Sequence, residues 1–191
     1  MSELSWAPFE LMEKGAKPLA PRSINSFEGV CDRLRAAAFA EIQAREAFRW
    51  GAENFKDAPE ALKADWLRLA GEEDKHLNWL LKRLNELGGS PSERKVSIHL
   101  WESLISSASV EEFTYRMATA EDRGRQAGER FYRDLQKSDP ITAEIFRKIA
   151  EEEIEHIRIA ERYFPNRTAL YSAQKLAPAA PKSTSTSGSL V

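Results

Sequence analysis

The chain has 191 residues, 42% of them hydrophobic and 30% charged, with 28 basic against 30 acidic side chains. That length fits one domain with tails and is ample for a core. A net charge of −2 excludes a strongly basic nucleic-acid binder, and no run approaches the roughly 20 apolar residues of a membrane span.

In chain order, residues 1–25 hold Pro8, Pro18 and Pro21 and no sustained period. They read as an N-terminal arm with one short helix near Phe9–Glu13. The arm carries charges where a signal peptide needs its apolar run. Cys31 is the only cysteine, which excludes a disulfide framework and a thiolate zinc site, and a reducing cytoplasm is the expected compartment. A first helix is predicted from about Phe27 to Phe55 and a second from about Ala58 to Leu87. The second is opened by Asp57 and Glu60 as a capping box and closed by Gly88–Gly89. A connection of about twenty residues follows, with an apolar piece at Ile98–Ile105. A third helix starts behind Ser109, with Glu112 in the reciprocal capping position, and runs to about Gln136. A fourth opens at Asp139–Pro140 and stops before Pro165. Residues 166–191, rich in Ala, Pro, Ser and Thr, read as a disordered tail. Its Gly188–Ser189–Leu190 string faintly resembles the docking tags of proteins packaged in encapsulin shells.

Short links force antiparallel neighbours, and the long link between the second and third helices has the length of a crossover. The fold class expected is all-α: a ferritin-like four-helix bundle over 26–165, made of two antiparallel hairpins joined by that crossover.

Two of the three histidines sit in the same setting, Glu73-x-x-His76 and Glu153-x-x-His156. Residues three apart on a helix share a face. Both members of the motif recur at a spacing of 80, as do Glu41 and Glu121, Ala38 and Ala118, and Arg45 and Arg125. The chain therefore reads as a duplicated helical hairpin, each half giving one Glu and one Glu-x-x-His. Such motifs also arise on solvated faces through composition alone. Periodicity argues otherwise: Glu41 lies on the stripe of Leu34, Ala38 and Phe48, Glu73 shares a face with Trp66, Leu69, Leu77 and Leu80, and Glu153 with Phe146 and Ile149. An uncompensated carboxylate at a core position is very costly, and two divalent cations cancel four of them. Glu41, Glu73, His76, Glu121, Glu153 and His156 are thus the expected ligands of two metal ions. Hard carboxylates with imidazoles suit iron, with manganese as the alternative. Glu72 and Glu152 are candidates to orient the histidine N–H groups. Glu46, about 140° round the helix from Glu41, is the rival on the first helix. His99 in the crossover reads as a surface or packing residue.

These residues resemble the ferritin-like di-iron carboxylate superfamily. Glu41-Ile42-Gln43-Ala44, Asp65-Trp66-Leu67-Arg68 with Glu72-Glu73, Leu100-Trp101-Glu102 and Glu121-Asp122-Arg123-Gly124 more narrowly resemble the bacterial ferritin-like family catalogued as domain of unknown function 455. The chain departs from that family at Phe39, where a histidine is expected, and at Arg45, where an aliphatic residue is. The resemblance implies the bundle and the same six ligands, and names no substrate. Wider relatives include the tRNA hydroxylases, fatty-acyl oxygenases, rubrerythrins and ferritins.

The function expected is an O₂-activating di-iron oxidase or oxygenase acting on an unidentified small molecule, with an electron donor as partner. Ala37, Ala38, Ala44, Gly124, Ala127 and Gly128 are small enough to leave it a cavity. The alternatives are a ferroxidase or iron-storage protein, a dimanganese catalase, and a metal-free helical interaction module. Arginines on the first and third helices alternate with acidic residues, so they read as a solvated face rather than a nucleic-acid surface. A homodimer is the simplest assembly.

Overall fold

The computed structural model describes residues 4–166. Among the described residues there are five α-helices, α1 (Phe27–Asn54), α2 (Glu60–Glu86), α3 (His99–Ile105), α4 (Val110–Leu135) and α5 (Pro140–Tyr163), one 3-10 turn at Pro91–Glu93, and no strand. The four long ones form a ferritin-like bundle in which α1–α2 and α4–α5 are antiparallel hairpins. The tail beyond Asn166, with Gly188–Leu190, lies outside the described residues.

Each helix begins and ends for local reasons. The Ser26 hydroxyl accepts from Gly29 N–H at the start of α1, Ser109 from Glu112 N–H at α4, and Asp139 from Thr142 N–H at α5. At α4 the Glu112 carboxylate reaches back to Ala108 N–H at 2.9 Å. The capping box expected at α2 does not form: the cap position is Pro59, without a side-chain cap bond. Proline disfavours the helical conformation of the residue before it, so Ala58 stays out and the helix waits until Glu60, beyond the reach of Asp57. At its far end Gly88 takes φ +74°, and the N–H groups of Gly88 and Gly89 close on Asn85 and Leu84 carbonyls.

The arm differs from its expectation. No helix forms at 9–13; instead Leu11 bridges Val96, with Met12 N–H donating to Val96 O at 2.8 Å and Val96 N–H to Glu10 O at 2.9 Å. Trp6 and Phe9 pack on Phe39, at ring-centroid distances of 5.9 and 5.0 Å. So short a helix is marginal alone, and burial of these rings decides the conformation. Arg22 and Arg94 then fasten the arm and crossover to Asp32 of α1 at 2.7 and 2.5 Å. In the crossover, α3 rests on α1, where Gln43 Oε1 accepts from Trp101 N–H at 3.1 Å.

Two apolar clusters form the core. One holds Leu34, Phe39, Leu80, Leu84 and Phe146; the other Phe48, Leu62, Trp66, Phe113 and Met117. Each such side chain, fully buried, contributes about 1.5–3 kcal/mol. On α2 the first cluster begins at Leu77 and the second ends at Ala70, so Glu73 and His76 fall between them. That gap, in the middle of the bundle, contains the polar cluster.

Candidate metal centre

Four helices bring six side chains to this level: Glu41 from α1, Glu73 and His76 from α2, Glu121 from α4, Glu153 and His156 from α5. All six are buried, Glu73 and His76 completely. Their ligand atoms fall into two groups, each within 4.8 Å: Glu41, Glu73, His76 and Glu153, and Glu73, Glu121, Glu153 and His156. Glu73 and Glu153 belong to both. Each hairpin thus adds one further carboxylate and one imidazole to a shared pair.

Both imidazoles turn Nδ1 inward. His76 Nδ1 lies 3.4 Å from Glu153 Oε1, 3.8 Å from Glu73 Oε2 and 3.9 Å from Glu41 Oε2. His156 Nδ1 lies 2.8 Å from Glu73 Oε1 and 3.0 Å from Glu153 Oε2. The rings are 5.8 Å apart and inclined by 20°. Both Nε2 atoms are held from outside: His76 by Glu152 Oε2 at 2.6 Å, His156 by Glu72 Oε2 at 3.0 Å. Glu152 in turn meets Lys75 Nζ at 2.6 Å, and Glu72 meets Arg68 Nη1 at 2.5 Å. Burial would raise both carboxyls, but Lys75 with His76, and His156 with Arg68, hold them below the usual range.

Inside the cluster the balance is different. Both oxygens of Glu73, Glu121 Oε1, Glu153 Oε2 and the two Nδ1 atoms are buried without a hydrogen-bond partner. The 2.8 Å approach of His156 to Glu73 is therefore close contact without hydrogen-bond alignment. Buried polar atoms are nearly always satisfied, and a convergent set of orphans such as this could hold a cation at its centre. Oxygen donors with two imidazoles fit iron or manganese.

With no cation, protons take that place. Burial, then the Glu73 charge, pushes Glu41 well above the usual carboxylate range; burial and the Glu73 and Glu153 charges do the same for Glu121. Burial pulls His76 down, but Glu153 and Glu73 outweigh it and hold the imidazole at about 10. The same balance holds His156 at about 12. Burial raises Glu73, but the two imidazolium groups bring it below the usual range.

A cavity of about 330 Å³ opens onto the cluster between α1 and α4, with Glu41, Glu121 and Glu153 in its lining. Ala37, Ala44, Gly124, Ala127 and Gly128 line it as expected; Ala38 does not. One residue on from Ala37 is a turn of about 100°, which sends Ala38 into the core, where it is fully buried.

Glu46 pairs with Arg45 and Arg49, at 2.8 and 3.0 Å, away from the cluster. His99 is exposed at the start of α3. Arg45 also meets Asp74 at 2.5 Å, and Arg35, Arg116 and Arg125 each pair with a carboxylate. Lys75 and Arg68 extend the site beyond the residues expected from the sequence. The spacing of Arg68 and Glu72 by four was a usable signal; the contact from Lys75 to Glu152 joins two hairpins and had none.

A bundle of this topology around buried carboxylates and imidazoles is a ferritin-like protein, with groups that could hold metal. The chain belongs to the family described as "Protein of unknown function (DUF455)", whose model matches residues 9–180. Among solved structures it is similar to the bacterioferritin-related protein of Bacteroides fragilis, a dodecameric thioferritin. The TM-score is 0.61 at 19% identity, covering 78% of this chain and 91% of that one. No curated protein matches. No helix among the described residues is long and apolar enough to cross a membrane.

Proposed function

We propose that the chain is a dinuclear metalloprotein, iron being the favoured metal, that activates O₂ to oxidise an organic substrate. One observation carries this: two four-residue ligand groups share Glu73 and Glu153 and differ by one Glu and one His each. In this reading Glu41, Glu73, His76 and Glu153 would hold one ion, and Glu73, Glu121, Glu153 and His156 the other. Two ferrous ions held there would supply electrons for reducing O₂.

The protein's own groups do the rest. Four carboxylates balance two divalent charges. Glu152 and Glu72 fix the Nε2–H tautomers, so both Nδ1 lone pairs aim inward. Phe48, Trp66 and Leu69, among the least exposed residues, keep bulk water from one side. On the other side the apolar cavity admits O₂ and substrate to Glu41, Glu121 and Glu153. Repeated turnover needs an electron donor, which makes a reducing partner part of the proposal.

A second reading is ferroxidation and iron storage, as the likeness to a thioferritin fold would allow. The same six residues would serve it, and with manganese they would serve peroxide disproportionation. The cavity favours the first reading, because its walls offer hydrated cations no chain of carboxylates. The orphaned buried atoms weigh against a metal-free interaction module. The test is an O₂ electrode trace on protein loaded anaerobically with ferrous ion. Uptake that stops after the bound iron is oxidised, with no mineral core in electron micrographs, supports the proposal. Continued uptake with core growth supports storage, O₂ release from peroxide supports a catalase, and no uptake overturns the proposal.

A further inference from the structure

Resting on that reading, we infer that the α1–α4 cavity is the substrate site and that its occupant is an uncharged, extended alkyl chain. Along α1 the lining runs from Ala44 to Arg33, and along antiparallel α4 from Ala120 to Phe131. Eleven residues of helix span about 16 Å. A volume of about 330 Å³ is at the lower end for ligand sites, and drawn out over that length it suits one extended chain rather than a fused ring system.

The chemistry of the wall points the same way. Between its two ends the lining is Ala, Gly, Leu100, Phe131, Phe146 and Ile149. Polar groups occur only at the ends. At the outer end, Asp32 is taken up by Arg22, Arg35 and Arg94, and Arg33 donates to the Arg22 and Gly29 carbonyls. The Asp32 carboxylate is thus not free to hold a polar substrate. At the inner end Glu121 and Glu153, 6% and 2% exposed, belong both to the cavity wall and to the polar cluster. An apolar body therefore finds complementary walls along its length and meets reactive groups at one end.

The two glycines of the wall have different parts. A Cβ on Gly128 would lie 3.2 Å from the Phe146 carbonyl oxygen, so this glycine allows α4 to approach α5. A Cβ on Gly124 would meet nothing within 4 Å. Gly124 is exposed on the cavity wall, so a larger residue there narrows the cavity from that side without displacing a neighbour.

The experiment is calorimetric titration of 1-decanol into the full chain, metal-free and Mn(II)-loaded, with metal content measured on the same samples. Gly124→Leu is compared with Gly71→Leu, an exposed position on α2 where a Cβ is also unobstructed. We expect saturable binding near one per chain, weakened at least tenfold in Gly124→Leu and unchanged in Gly71→Leu, with metal content equal in all three. No saturable binding, or equal affinity in both variants, overturns the inference. So does an oligomer that Gly124→Leu dissociates in the ultracentrifuge while decanol fails to bind, which makes the cavity a subunit interface. Decanol binding without metal binding keeps the cavity and discards the dinuclear reading.

Discussion

His76 Nε2 of α2 lies 2.6 Å from Glu152 Oε2 of α5, and Glu72 of α2 returns the contact to His156 of α5 at 3.0 Å. Each hairpin thus holds the other hairpin's imidazole. The exchange couples the aim of both Nδ1 atoms to the docking of the two hairpins. It also places a titratable group between each ring and a surface cation.

Loss of either outer carboxylate should weaken metal binding without unfolding the bundle. Glu152→Gln keeps the shape but removes the charge that fixes the His76 ring. Second-partner losses of this kind cost about 10–100-fold in metal affinity. Competition titration against a chelator, with circular dichroism on the same samples, reads both quantities.

The metal-free protein should lose stability as pH rises. His76 and His156 are held at about 10 and about 12, above the unfolded imidazole value of ~6.5. Groups raised on folding contribute fully below their unfolded values and lose that contribution as pH climbs to the folded ones. Raised Glu41 and Glu121 act in the same direction. Each proton of difference is worth about 1.4 kcal/mol per pH unit. Melting temperature should therefore fall between pH 7 and 10 in the metal-free protein, and fall much less with metal bound. The same protons compete with the metal, so affinity should drop on acidification.

Asp32 is a separate structural anchor. It is 5% exposed and carries Arg22, Arg35 and Arg94, so Asp32→Ala takes from Arg35, itself 2% exposed, the buried one of its two carboxylates and leaves only the exposed Glu93. Removing one partner of a buried ion pair costs about 3–5 kcal/mol. Burial would raise this carboxyl, but Arg22 and Arg94 hold it well below the usual range. Its contribution is present above the unfolded value of ~3.9 and is lost as pH falls. Urea denaturation at neutral pH and at pH 3 checks both statements.

Helix caps separate what the sequence could show from what it could not. Asp139→Ala should cost about 1–2 kcal/mol, because the carboxylate caps α5 and also takes Arg83 at 2.9 Å. Asp57→Ala should stay within about 0.5 kcal/mol, since no cap forms there. Thermal unfolding of the two variants is the measurement.

The same division runs through the molecule. Glu73 and His76 were legible as neighbours because helical spacing converts sequence distance into direction, and the repeat at 80 led from them to Glu153, His156, Glu41 and Glu121. Ser109, Asp139 and Gly88 were legible because capping is local. The arm was not, because Trp6 and Phe9 are placed by Phe39, thirty or more residues away. Which histidine Glu72 or Glu152 would hold was equally hidden, since that depends on how the hairpins dock. Ala38 was misplaced into the cavity for want of the direction in which α1 faces α2.

The most direct measurement is metal content by mass spectrometry after reconstitution with Fe(II) under anaerobic conditions, for the parent, Glu73→Ala and Glu41→Ala. The account predicts about two ions per chain in the parent, none retained in Glu73→Ala, and a single weakened site in Glu41→Ala. A parent that binds no iron or manganese, or a Glu73→Ala variant that keeps both ions, would contradict it.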